Sequence, residues 1–184
     1  MANIVPDSFK TDLLKGTFNF KSSAQGGGDT FKIALYTSLA AFSTSTTEYI
    51  TTNQVANGNG YTTGGNTLTN AGVSISSNVA FVDFNDTTWS SASITAVGAL
   101  IYKSSSNNEA VLVLDFGGTK TSTSGDFQIV FPVTIMRVVV LDYIKLVDQN
   151  QLVLVVVVVA LVRILICELM NHSTLNPIVT GKQV

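Results

Sequence analysis

The residues in this chain best suited to chemistry are carboxylates. Asp83 and Asp86 fall in DFND, Asp115 in LDFGG and Asp126 after a glycine, while Glu48 and Glu109 stand apart. Two acids across a cleft can hydrolyse a glycoside, one giving the proton and the other activating water or attacking the sugar. Acids at strand ends more often cap turns or face solvent, and nothing in their spacing singles out a pair. Asp83, Asp86 and nearby carbonyls could hold calcium, but the dense Asp/Asn loop of an EF-hand is missing. The only cysteine is Cys167 and the only histidine is His172. Residues 1–132 therefore offer neither for a nucleophile–base pair or a zinc site of nitrogen and sulfur ligands. A single cysteine also excludes an internal disulfide. The expectation is a non-enzymatic protein with no catalytic residue, metal ligand or cofactor.

Charge narrows the partners. Ten basic and twelve acidic residues in 184 leave a formal net charge of −2, too weak a field to hold nucleic acid or an anionic membrane. The glycine clusters GGGD (26–29) and NGYTTGG (59–65) are not followed by a Lys-Ser/Thr helix start, so they supply turns and not a phosphate loop. Trp89, Phe81, Phe84, Tyr102, Phe116 and Phe131 are expected in the core. Tyr49 and Tyr61 lie in a polar, glycine-rich stretch and are expected to be exposed. With Asn59 and Asn66 they form a candidate contact loop, where a neighbouring subunit or a host-surface glycan would be met.

These residues need a scaffold, and the pattern predicts a β one. Asp7 to Lys15 carries Phe9, Leu13 and Leu14 at i, i+4 and i+5, with Asp7 or Ser8 to cap and Gly16 to stop a short amphipathic helix. Thr30 to Thr37 alternates as a half-buried strand. Further strands are expected at Thr67–Ile75, Val79–Phe84, Ile94–Tyr102, Ala110–Phe116 and Phe127–Phe131, with GGTKTSTSGD as a loop between the last two. Residues 43–66 hold almost no large aliphatics and are expected as surface loop or hairpin tips. Short strands with turn signals about every ten residues predict an all-β fold, an antiparallel sandwich or jelly-roll-like domain with a short N-terminal helix.

The stretches SFKTDLL, DTFKIALYTS, NGYTTGGNTLT, FVDFNDTTW, ITAVGALIYKS and AVLVLDFGGTKTSTSGDFQIVFP resemble, in that order over residues 7–132, a family of small structural proteins of tailed bacteriophages. The resemblance implies a virion component, a capsid decoration or a tail or fibre subunit. Its partners would be other virion proteins of the capsid or tail, and it would form homo-oligomers. Such a subunit is assembled in the host cytoplasm, and the N-terminus MANIVPDSFKTDLL shows no basic and apolar secretory signal. The alternative is a host-surface carbohydrate-binding module for adsorption. The chain departs from the family pattern at Val97, where Arg is usual, and after Pro132, where one short apolar strand of the IIRI kind is expected.

Beyond a β-sandwich virion-type domain at 1–132, residues 133–184 form an atypical apolar tail. Leu152–Val162 gives eleven uninterrupted apolar residues before Arg163, too short to span a membrane. As a core strand or helix the run would bury well. Composition, however, switches after Pro132 from Ser/Thr/Asn/Gly to Val/Leu/Ile with no linker, and the segment is of an aggregation-prone kind. Translation out of frame would account for both features. VTIMRVVVL written GTG ACA ATA ATG CGA GTA GTA GTA TTA and read one base earlier becomes SDNNASSSI, a polar turn leading to a strand end. The encoding DNA should then show valines written mainly as GTA and a single-base indel near the Pro132 codon; other valine codons, or no indel, would make the tail a genuine in-frame product.

Overall fold

A computed structural model describes residues 3–76 and 79–131, together with the backbone of 136–139 and 163–166. One helix, α1 (Asp7–Leu14), precedes the strands β1 (Phe31–Tyr36), β2 (Asn66–Leu68), β3 (Asn70–Ser76), β4 (Val79–Phe84) and β5 (Thr87–Ala92). There follow β6 (Thr95–Lys103), β7 (Ala110–Thr121), β8 (Gly125–Ile129), β9 (Met136–Val139) and β10 (Arg163–Ile166). The fold is all-β with a short N-terminal helix, as the pattern predicts. Its sheets run β2-β1-β6-β7, β10-β9-β4-β3 and β5-β8, and every pairing is antiparallel. Of the tail, only β9 and β10 are described; Cys167, His172 and the valine run 155–159 lie outside the described residues.

The first sheet is the centre of the molecule. Phe31, Ile33 and Leu35 of β1 point into one cluster with Val82 and Phe84 of β4, Trp89 of β5, and Phe127 and Ile129 of β8, so three sheets close sandwich-like on a common core. Ala34 and Tyr36 point the other way, into a second cluster with Leu100, Tyr102 and Val113. The half-buried strand expected at Thr30–Thr37 is therefore buried on both faces. The cause is the chain after Tyr36, which folds back and lays Leu39 and Phe42 on the second face, with Tyr49 and Ile50 beside them. At Gly65 (φ +75) it comes so close that an added Cβ would lie 1.8 Å from the Ile33 carbonyl oxygen. Only glycine fits such an approach.

Helix α1 seals one end through Phe9, which is fully buried. Its ring meets Phe18 at 4.9 Å, Phe20 stacks on Phe31 at 4.6 Å, and Phe31 meets Phe84 at 5.5 Å. Leu14 does not share that face and is 74% exposed; five residues at 3.6 per turn carry it roughly 140° round from Phe9. Neither expected cap forms. The Asp7 N–H donates to the Thr44 carbonyl (2.8 Å) and the Ser8 hydroxyl to the Thr46 carbonyl (3.2 Å), so the helix start is tied to the folded-back loop. Gly16 ends the helix at φ +74.

Three strand assignments also differ from expectation. The single strand expected at Thr67–Ile75 breaks at Thr69 into β2, which pairs with β1, and β3, which pairs with β4. Thr87–Ala92 pairs with β8 although its sequence, TTWSSA, has little apolar alternation. Residues 117–121, expected in a loop, continue β7 through a bulge in which Gly117 and Gly118 take positive φ, and the turn shrinks to 122–124. Trp89, Phe84, Tyr102 and Phe116 are in the core as expected, while Phe81 and Phe131 are only half-buried.

Phe31→Ala should destabilise the fold by about 3–5 kcal/mol, whereas Leu14→Ser should stay within about 0.5 kcal/mol of wild type. Denaturant unfolding followed by the emission of Trp89, the sole tryptophan, measures both.

Candidate functional site

Of the four residues of the candidate contact loop, the structure leaves only Asn59 in open solvent. Residues 58–61 form a two-residue hairpin turn, closed by Gly58 N–H to the Tyr61 carbonyl (2.8 Å) and Tyr61 N–H to the Gly58 carbonyl (2.9 Å). Asn59 (φ +51) and Gly60 (φ +86) take its two left-handed positions, as an Asn-Gly pair favours. Asn66 is half-buried in β2, its side-chain amide donating to the Thr87 hydroxyl and the Thr88 carbonyl, both at 3.1 Å.

The expected exposure of the two tyrosines is corrected. Tyr61 is 2% exposed and Tyr49 half-buried. The Tyr61 phenol oxygen accepts the Leu35 N–H (3.0 Å) and the Gln54 amide (2.8 Å), and the Tyr49 hydroxyl donates to the Gln54 side-chain carbonyl (2.6 Å). Tyr49 stacks on Tyr102 at 4.6 Å. Tyr36 and Tyr102 donate to the Ile50 and Gly64 carbonyls at 2.6 and 2.8 Å. These rings turn inward because a chain covering an apolar sheet must bring partners for its own buried peptide groups, and a phenol supplies both apolar area and a polar tip. Burial pushes all four phenols above their ordinary range, Tyr102 to about 12.

The carboxylates are spent on backbone. Asp83, Asp86, Asp115 and Asp126 accept the N–H groups of Phe84, Phe131, Gly117 and Ser91 at 2.8, 2.9, 2.9 and 3.1 Å. Burial raises the Asp83 pKa, with the charge of Asp86 adding to the effect. Glu48 and Glu109 face each other across a single β-bridge, and Glu109 accepts the Ser105 hydroxyl. No group of three or more His, Cys, Asp or Glu suited to a metal ion occurs among the described residues. No described helix is long and apolar enough to cross a membrane.

A different surface stands out. A groove of about 480 Å³ runs between residues 13–21 and the β3–β4 hairpin, with Leu13, Phe18 and Phe20 on one wall and Val73, Ala80 and Val82 on the other; Glu48 and Glu109 are not part of it. The register places Val73 opposite Val82 and Ile75 opposite Ala80, so these four share one face of the hairpin. At its root that face is core, with Val82 at 9% exposure; further out Val73 reaches 41% and Ile75 73%. The apolar face thus runs past the body into solvent. The alternation V-S-I-S is visible in the sequence, but not that the strand outruns the core.

The tyrosine network sets a sign for pH. Below the ordinary phenol value of 10.0 the Tyr102 phenol is neutral in folded and unfolded chains alike. Between there and about 12 the unfolded chain loses that proton while the folded chain keeps it, so stability falls as pH rises through this window. In an absorbance titration the buried phenolates should appear together with the loss of native Trp89 emission; separate titration of every tyrosine near its ordinary value would contradict the network.

No family model, no curated protein and no solved structure matches this chain.

Proposed function

We propose that this chain is a non-enzymatic structural subunit of a tailed-phage particle, a capsid decoration or a tail or fibre component, that works by binding other proteins. The observation that carries the reading is the hairpin face on which Ile75 and Val73 stand in solvent beside an apolar groove. Covering apolar surface is worth roughly 25 cal/mol per Å², so this face gains from a protein neighbour. The stretches that resemble phage structural proteins support the same role. FVDFNDTTW builds β4 and the start of β5, ITAVGALIYKS builds β6, and AVLVLDFGGTKTSTSGDFQIVFP supplies β7 and β8. They make the body that carries the hairpin. Repetition over a particle lets a modest contact suffice, because neighbouring contacts act at high effective concentration. The adsorption alternative loses a support, since stacking on a sugar needs an open ring and Tyr61 is buried.

Mass spectrometry of gradient-purified particles from cells producing the phage tests this role. The chain should band with the particles at fixed stoichiometry to a capsid or tail protein. Recovery only from the particle-free lysate would overturn the proposal.

A further inference from the structure

We infer that the outer edge of β3 is a self-association surface, on which two copies pair β3 with β3 antiparallel about a two-fold axis at Ile75. The inference rests on the proposed contact-making role and names its partner, a second copy of this chain.

Three other strand sides are occupied, beside β7, β1 and β4. Beyond β7, the Ile4 N–H and carbonyl bond the Val113 carbonyl and N–H at 3.0 and 2.9 Å, and the Asn3 side chain accepts the Asp115 N–H at 2.8 Å. Beside β1, Val55 N–H reaches the Leu35 carbonyl and Thr37 N–H the Asn53 carbonyl. The far side of β4 is taken by β9. The edge of β3 is different: residues 21–29 hold its start through the Asn70 side chain, which donates to the Lys21 and Asp29 carbonyls at 3.1 Å, and beyond that its backbone is met by one side chain. The Gln25 amide donates to the Val73 carbonyl at 2.8 Å and accepts the Val73 N–H at 3.0 Å. A primary amide there does what the peptide group of an added strand would do, which shows that this edge is shaped for a backbone partner.

Gln25 reaches one residue only. Because strand groups alternate in direction, the N–H and C=O of Ile75 point the same way as those of Val73, one pleat further out. Among the described residues nothing bonds them on that side. Natural edges are usually blunted with lysine, proline or an inward charge. Here Asn70–Ser76 reads NAGVSIS, with no ionisable residue and no proline. That neutrality favours a second copy. Antiparallel self-pairing sets no like charges opposite each other, and a two-fold contact uses the same patch twice. It sets Ile75 of one copy against Ile75 of the other, covering the most exposed apolar residue of the hairpin. With Gln25 limiting the ladder in both copies, the pairing is short and the dimer weak.

Sedimentation of the full chain over a concentration series, alone and as Ile75→Lys and Ile75→Glu, tests the inference. At 73% exposure Ile75 tolerates either substitution without loss of fold, and an unchanged unfolding midpoint checks this. Wild type should pass from monomer to dimer as concentration rises. Each variant should raise the dimer dissociation constant by at least about tenfold, and mixing Lys and Glu variants should restore a heterodimer. Wild type monomeric throughout, or variants that dimerise like wild type, would overturn the pairing. An Ile75-dependent complex with a particle protein, with no self-association, would give the edge to that protein and overturn it as well. Particles containing a chain that stays monomeric leave the structural role standing without the pairing; a dimer missing from particles removes the role and keeps the pairing.

Discussion

A sheet buried on both faces leaves no room for an unpaired polar group, and in this molecule β1 and the middle of β6 are such strands. One cover is ordinary, the apolar faces of two other sheets. The other is made from polar sequence, residues 37–65, which hold few aliphatics. Such a chain can lie on an apolar surface only if its own peptide groups are answered, since an unpaired buried donor or acceptor costs about 1–3 kcal/mol. Tyr36, Tyr61 and Tyr102 meet the demand. Each presents its ring to the core and its hydroxyl to a peptide group: the Ile50 carbonyl, the Leu35 N–H and the Gly64 carbonyl. The helix start is bound into the same cover through Thr44 and Thr46, so the segments before and after β1 hold each other in place.

The same economy governs the edges. Three are closed by short pieces of chain or a single side chain rather than by full strands: residues 3–4 at β7, 53–55 at β1, and Gln25 at β3. The sheets are open, and an unguarded strand edge is a template for pairing with another chain. Where a guard is a loop, it comes with apolar residues that join the core, as Ile4 and Val55 do. Where it is only a side-chain amide, the strand beyond stays available. The difference between closed and open edges is a difference in how much chain lies next to them.

Strand positions were legible because apolar patterning is a local property: FKIALY partly alternates, and VAFVDF and ALIY are short apolar runs bounded by polar residues. What lies on the far face of a strand is not local, so β1 reads as half-buried until residues 37–50 are seen on top of it. The misreading of Tyr61 has the same origin. Surrounded in sequence by Gly, Thr and Asn, it looks like a loop tip, yet the Asn59-Gly60 turn reverses the chain directly before it and drives its ring against Trp89, 6.0 Å between centroids. The turn chemistry was readable, its three-dimensional consequence was not. β5 escaped for a third reason: TTWSSA gains its strand geometry from pairing with β8, with Trp89 set opposite Phe127, and carries almost no propensity pattern of its own. Leu14 shows how little a spacing of five fixes on a helix: Phe9 and Leu13, four apart, meet the core, and Leu14 turns away from it.

Placing the proposed contact surface on the β3–β4 hairpin instead of the 43–66 loop changes the energetics of binding. Tyr61 could meet a partner only by leaving the Leu35 N–H and the Gln54 amide unpaired, so contact there would work against the fold. Val73 and Ile75 ask nothing of the kind, because their backbone conformation is already fixed by the ladder with β4 and their side chains hold few rotamers. A partner meeting this face has little ordering entropy of the hairpin to overcome, which leaves the loss of translational and rotational freedom as the main cost of association. The opposite face carries Ser74 and Ser76 on β3, set against the half-buried Phe81 and Val79 of β4. A backbone held by the β4 ladder, two exposed aliphatic side chains and a strand edge one pleat past Gln25 are what favour the hairpin over the tyrosine loop as the proposed contact element.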